Sequence, residues 1–236
     1  MTITLVFLAG LAAIAAWWLA RHGLADRPWL ETGPMDGTVG SGGSPLPAAK
    51  LGLGLFIAVA STLMVLLVSA YSMRMEMRDW NPPPQPVLLW VNTGVLVLAS
   101  IVLHRAMLAA RRRARQRVKA GLLGAGVTGT AFLLGQILAW RELAASGYLP
   151  AANPADAFFY LITAAHGLHV VGGLVALGRT ALRLQDGICT DRLRLGVELS
   201  AIYWHFLLLA WIFLFSVLAF SPSLAWLYAI CTAPFS

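Results

Sequence analysis

Charged side chains and cysteines are both scarce in this chain of 236 residues, and their scarcity excludes several classes of protein. Only 11% of the residues are charged and 59% are hydrophobic, whereas a soluble domain is about 25% charged and about 45–50% apolar. This composition excludes a disordered chain and a nucleic-acid-binding domain. Two cysteines, Cys189 and Cys231, are too few for a secreted disulfide scaffold. The composition therefore indicates a protein that crosses a membrane several times.

Long apolar runs take the place of charge along most of the chain. A helix needs about 20 apolar residues to cross roughly 30 Å of hydrocarbon. The runs are unbroken rather than alternating, which favours helices over the strands of a membrane barrel. Six stretches qualify, and the third, the shortest, is expected to rely on snorkelling by His104 and Arg105. They are residues 2–20, 51–73, 87–103, 118–140, 157–178 and 197–220.

We therefore expect an all-α polytopic membrane protein with six transmembrane helices, one N-terminal helix plus a five-helix bundle. The first helix occupies residues 1–21, and we expect it to be retained because Arg21 follows the apolar run and no positive charge precedes it. Residues 22–49 form a flexible cytoplasmic loop rich in Gly, Ser and Pro near its end. The bundle spans residues 50–220, and residues 221–236 form a short outward-facing tail.

Lysine and arginine are distributed unevenly among the connections. Fourteen of the 17 lie after the first, third and fifth stretches, and only Arg74, Arg78 and Arg141 lie in connections that face the other way. Because cytoplasmic loops carry an excess of Lys and Arg, both termini should face outward. The basic cluster at residues 111–117 is more typical of the side that faces anionic lipid than of a nucleic-acid site.

Ionisable and amide side chains within the apolar stretches are the candidate functional residues, because burying them in hydrocarbon is costly. His166 and His169 are three residues apart and share a helix face, Glu198 and His205 are seven apart and share another, and Gln136 lies on the fourth stretch. These residues could hold a metal or haem, or carry protons. We favour a hydrogen-bonded structural network, because they include one carboxylate and no cysteine. No catalytic motif is present, so we expect neither catalytic residues nor a metal in this chain.

Several motifs in family order resemble subunit III of the haem–copper cytochrome c oxidases. The pattern covers residues 50–220. Its segments are residues 50–52 (KLG), 132–136 (FLLGQ), 158–170 (FFYLITAAHGLHV), 203–206 (YWHF) and 211–215 (WIFLF).

The resemblance implies an accessory subunit with no redox centre of its own in a bacterial inner membrane. Such a subunit packs beside catalytic subunit I, holds phospholipids, supports proton uptake and protects the enzyme from inactivation during turnover. Haem and copper belong to partner subunits, which pump protons and reduce oxygen to water with electrons from cytochrome c. Arg183 aligns with a contact to lipid phosphate in that family, and Arg179 is a second candidate for the headgroup.

The sequence departs from the family at Ala60 and Leu208, where acidic residues are common, and in having one helix before the long loop. These departures argue against a proton-antenna role for the stretch at 51–73. The alternatives are the corresponding subunit of a quinol oxidase or nitric oxide reductase, an independent proton-coupled transporter, and a stand-alone haem-binding cytochrome.

Overall fold

The computed structural model describes residues 48–75, 77–184 and 191–232, and all regular structure in these ranges is helical. The chain divides into two compact units, Met1–Gly54 and Leu55–Ser236. The all-helical prediction is thereby confirmed, whereas the helix predicted at residues 2–20 lies outside the described residues. The five described helices are α1 (Ala48–Arg74), α2 (Val87–Arg111), α3 (Arg115–Ala145), α4 (Pro154–Arg183) and α5 (Asp191–Thr232).

Each of these helices is long and apolar enough to cross a membrane, and each extends beyond the apolar run that predicts it. α2 continues from residue 103 to Arg111, and α5 continues from residue 220 to Thr232, through part of the segment predicted as a tail. Hydropathy identifies only the part of a helix that is suited to hydrocarbon, whereas the backbone hydrogen bonds of the helix can continue beyond that part. α4 starts at a local signal, because the Asn153 side chain accepts a 3.0 Å bond from the amide of Ala155.

Four of the helices form a closed ring within the second unit. α2 packs against α3 and α5, and α4 packs against the same two helices. The part of α1 from Leu55 onward contacts this ring through aromatic side chains: Phe56 lies 5.8 Å from Tyr203, and Tyr71 lies 6.0 Å from Phe158, between ring centroids. Most large apolar side chains of α1 are exposed, as expected for a helix that faces lipid or another chain.

The indole of Trp204 on α5 fills the centre of the ring and is fully buried. It fits because the facing residues are glycines: a Cβ atom on Gly129 of α3 would lie 2.8 Å from Cζ2, and one on Gly173 of α4 would lie 2.9 Å from Cζ3. Gly121, one of three small residues at four-residue spacing with Ala125 and Gly129, likewise faces Ala106 of α2. Small residues thus let all four helices of the ring approach closely inside the bundle.

The connections between helices alternate between two ends of the bundle. At one end, Asn153 donates a 2.8 Å side-chain bond to the carbonyl of Asn81. At the other end, Arg115 donates a 3.0 Å bond to the carbonyl of Leu184. These bonds place the α1–α2 and α3–α4 connections together, and the α2–α3 connection beside the end of α4.

The α1–α2 connection is extended over its run of prolines and begins with an exposed ion pair. The guanidinium of Arg74 donates to both carboxylate oxygens of Asp79, with Nη1 lying 2.7 Å from Oδ1. These hydrogen bonds lower the pKa of Asp79 below its ordinary value. The pair orients the chain where it leaves α1, although an exposed pair adds little to stability.

Two adjacent glycines on α4 provide a matched test of the close packing at Trp204. We expect Gly173→Ala to lower the free energy of unfolding by about 1–3 kcal/mol, because the new methyl overlaps the buried indole. Gly172→Ala is the control, since nothing lies within 4 Å of the position that its methyl would occupy. Thermal unfolding of both variants in the same detergent measures the difference, and equal melting temperatures would contradict the packing described.

Candidate functional site

His166 on α4 is fully buried and joins α4 to α5. Its Nε2 atom lies 3.1 Å from the carbonyl oxygen of Leu207, so Nε2 carries the proton and donates it. The imidazole centroid lies 4.9 Å from that of Trp211 on α5 and 5.6 Å from that of Phe132 on α3. This histidine therefore combines a hydrogen bond with aromatic packing against two neighbouring helices.

Two polar side chains of α2 continue these contacts around the ring. Thr93 accepts a 2.9 Å bond from the indole nitrogen of Trp211. The buried amide of Asn92 donates a 3.1 Å bond to the carbonyl of Phe132. A Cβ atom on Gly135 would overlap the Asn92 amide, so glycine is what allows this amide to reach α3. All four helices of the ring are thus linked by polar contacts near one level.

His205 on α5 takes part in a different set of contacts, on the side of α2. Its Nδ1 atom lies 2.5 Å from the hydroxyl of Ser100, and its Nε2 atom lies 3.2 Å from Nδ1 of His104. The sequence predicts that His104 snorkels near the end of a short helix. Instead α2 continues about two turns beyond it, and its ring stacks on that of His205.

His169 lies one turn after His166, but its imidazole bonds within its own helix. Its Nδ1 atom lies 2.7 Å from the carbonyl of Ala165, and the ring is half-buried. The link between helices at this position comes from the backbone, because the hydroxyl of Tyr203 donates a 3.0 Å bond to the carbonyl of His169. Sharing a face with His166 therefore does not give the two imidazoles the same role.

Gln136 and Glu198 complete the set of candidate residues. Gln136 is buried on α3 at 3% exposure, and neither its amide nitrogen nor its oxygen has a hydrogen-bond partner among the described residues. Glu198 is half-buried on α5, two turns before His205. The structure therefore distributes the predicted residues over several helix contacts rather than gathering them at one centre.

Several polar contacts are not predicted by the sequence, and they include Asn92, Thr93, Ser100 and the pair formed by Trp140 and Thr163. In that pair the indole nitrogen of Trp140 donates a 3.1 Å bond from α3 to the Thr163 hydroxyl on α4. Uncharged side chains of this kind are common in membrane helices. A weak signal is present, since each of these side chains is a polar residue inside an apolar run.

The described ranges contain no group of three or more His, Cys, Asp or Glu side chains placed to hold a metal ion. The histidines lie at two separate contacts, one between α4 and α5 and the other between α5 and α2. The hydrogen bonds of His166 and His205 thus join neighbouring helices.

The surface of the bundle carries an apolar groove and a basic end. The groove, of about 650 Å³, lies between α3 and α4 and is lined by residues such as Leu122, Val127 and Leu174. Arg179 and Arg183 are exposed in the last two turns of α4, at the same end as Arg115. An apolar groove that runs toward exposed cations has the chemical character of a lipid-facing surface.

Five apolar helices, with ionisable side chains engaged in contacts between helices, define a multi-pass membrane protein. Comparison with known proteins identifies the family to which it belongs. The family model described as cytochrome c oxidase subunit III matches residues 49–222, and the chain belongs to that family. It is accordingly an accessory subunit III of a haem–copper oxidase, which confirms the resemblance seen in the sequence motifs.

The relatives cover most of the chain. A cytochrome c oxidase subunit 3 from Thermostichus vulcanus is 31% identical over 198 residues, which is 78% of this chain and 97% of the relative. One from Synechocystis is 31% identical over 170 residues, or 70% of this chain and 72% of the relative. A cytochrome bo(3) ubiquinol oxidase subunit 3 from Pseudomonas aeruginosa is 24% identical over 170 residues, covering 70% and 81%.

The hydrogen bond of His166 can be removed while its ring volume is kept. We expect His166→Phe to lower the free energy of unfolding by about 1 kcal/mol, because the carbonyl of Leu207 loses its side-chain donor. Leu168→Phe, at an exposed position on the same helix, is the control. Thermal unfolding of the purified complex, followed by release of this chain, measures both variants. A His166→Phe variant as stable as the control would show that the bond contributes nothing.

Proposed function

We propose that this chain is a non-catalytic subunit of a proton-pumping cytochrome c oxidase, in which partner subunits hold the haem and copper and reduce oxygen to water. The observation that carries the proposal is the hydrogen bonding of His166 and His205. Their ring nitrogens bond to groups of neighbouring helices, a role that stabilises a bundle and leaves the redox chemistry to other subunits. The family match over residues 49–222 supports the same role.

The polar residues act, in this proposal, as a structural network rather than as ligands. His166 and His205 each join two helices, and Tyr203 joins the backbone of His169 to α5. Gln136, buried in the same ring, and Glu198, half-buried on α5, are further members by their position. Holding these helices together preserves the surface that subunit III offers to catalytic subunit I.

Bound phospholipid is a second part of the proposed function. The groove between α3 and α4 is apolar enough to accept an acyl chain. Exposed Arg179 and Arg183 lie where a headgroup phosphate meets the helix end, and cations at that level attract anionic lipid. Lipid held in this way, together with the bundle, is proposed to protect the oxidase during turnover and to support proton uptake.

We further propose that the protein lies in the bacterial plasma membrane with both termini facing the periplasm. Residues 1–21 would form a first membrane helix, residues 22–49 a cytoplasmic loop, residues 50–220 the bundle, and residues 221–236 the outward-facing end of the chain. The grouping of the connections supports this orientation. The α2–α3 connection and the end of α4 lie together and carry exposed arginines, whereas the opposite end carries few.

Cytochrome c is the proposed electron donor. Relatives named as cytochrome c oxidase subunits are between 27% and 31% identical to this chain, and those named as ubiquinol oxidase subunits are 24% and 27% identical. Oxidation of reduced cytochrome c by the purified complex tests the assignment. A complex that oxidises only quinol would overturn it.

Cysteine labelling tests the orientation. In a background with Cys189→Ser and Cys231→Ser, we expect Ala151→Cys to react with an impermeant maleimide in intact spheroplasts. Arg112→Cys should react only after the membrane is opened. Both positions are exposed and lie in opposite connections, so accessibility depends on the side of the membrane. The reverse labelling pattern would show that the proposed orientation is wrong.

Removal of the chain tests the accessory role. An oxidase purified without this subunit should keep its haem and copper content and its initial rate, but lose activity several-fold faster during sustained turnover. His166→Ala in the whole complex should shorten the working life in the same direction, because it empties a site between two helices. Loss of haem or copper in proportion to loss of the chain would instead assign a redox centre to it.

A further inference from the structure

A chain of three polar side chains crosses the seam between α2 and α5. The hydroxyl of Ser100 lies 2.5 Å from Nδ1 of His205, and Nε2 of His205 lies 3.2 Å from Nδ1 of His104. The two imidazoles are stacked, with centroids 5.4 Å apart. Ser100 is buried, His205 is half-buried and His104 is exposed, so this row of three side chains leads from the interior to the outer surface.

The outer end of this row of side chains lies on α2, which from Val87 to Arg111 is long and apolar enough to span a membrane. His104 is about two turns before the end of the helix at Arg111. Ile101 and Leu108, three residues before it and four after it, occupy the same face and are 51% and 42% exposed. The imidazole of His104 is therefore a polar group set in an apolar face of a helix that is suited to span a membrane.

The direction of the hydrogen bonds follows from the buried end. The hydroxyl of Ser100 has one described partner, Nδ1 of His205, and a buried O–H needs an acceptor. Nδ1 of His205 therefore accepts, and its Nε2 carries the proton and donates it to Nδ1 of His104. A neutral His104 then carries its own proton on Nε2. The row of three hydrogen-bonded side chains thus ends in an N–H donor at the surface.

Lipid tails offer no acceptor to such a donor, and leaving a polar group without a partner in hydrocarbon is unfavourable. α1 does not cover it over its residues from Leu55 onward, because Phe56 packs on Tyr203. Tyr203 and His205 are two residues apart, so their side chains project about 200° apart around α5. The donor consequently faces a side of the bundle that α1 leaves open.

We propose that this seam is an interaction surface for a membrane-spanning helix of a partner oxidase subunit, which presents an oxygen acceptor to Nε2 of His104. The acceptor is an oxygen atom of the partner helix, either on a side chain or on a backbone carbonyl, as where His166 donates to the carbonyl of Leu207. This inference rests on the proposed function, since it requires an oxidase complex, and it adds to it the contact surface and the chemistry of the partner.

Photocrosslinking in the whole complex tests the surface. Benzoylphenylalanine placed at position 104 should form an adduct with another oxidase subunit at a yield at least about fivefold above the same probe at position 127. Val127 is 69% exposed on α3 and serves as the matched control. An adduct only with lipid, or only with residues 1–47 of this chain, would overturn the proposal, as would equal yields at both positions.

The chemistry of the contact is tested by two substitutions at His104. His104→Gln supplies both an acceptor for His205 and an outward N–H donor, whereas His104→Leu supplies neither. We expect detergent washing to release the leucine variant from the complex several-fold more than the glutamine variant or the parent. Equal retention of the two variants would show that His104 makes no hydrogen bond to a partner subunit. If the parent chain itself copurifies with no oxidase subunit, the proposed function fails, and that outcome is distinct from failure of this surface.

Discussion

Hydrocarbon cannot satisfy a polar group, and this single constraint explains where the polar side chains of the bundle go. In water, the indole of Trp211 or the amide of Asn92 could bond to solvent. In a membrane helix each must reach another part of the protein, and the described contacts reach Thr93 and the carbonyl of Phe132 on neighbouring helices. A polar residue that bonds to a neighbouring helix in this way therefore constrains which helices are neighbours and at what level they meet.

These hydrogen bonds specify helix positions more than they stabilise them, because each contributes on average about 0.6 kcal/mol in a membrane. Close packing supplies the larger share. The indole of Trp204 is enclosed because Gly129 and Gly173 lack side chains at the points of contact. The same principle operates at Asn92, whose amide occupies the space left by Gly135. Glycine and polar residues thus act together. The glycines let the helices approach closely, and the hydrogen bonds of the polar residues fix the register in which the helices pack.

Much of the fold follows from local sequence, whereas the pairing of side chains does not. Apolar runs predict the five described spans because burial in lipid depends on composition within one segment. The helix ends differ from the prediction, since α2 and α5 extend past the apolar runs that predict them. The cost of burial in the bilayer predicts His166 and His205 as functional positions. Their partners, the carbonyl of Leu207 and the side chains of Ser100 and His104, depend on helix rotation and are not predictable from one segment.

The direction of its hydrogen bond distinguishes His166 from a group in a proton path. A proton path needs groups that accept a proton on one side and release it on the other. Nε2 of His166 instead donates to a backbone carbonyl, which has no proton of its own to pass on. The contacts of His205 run to Ser100 and His104 on α2, away from the seam that holds His166. Within the described residues, the hydrogen bonds of the two histidines therefore end at separate helix contacts, and this geometry favours a bundle built to hold its shape.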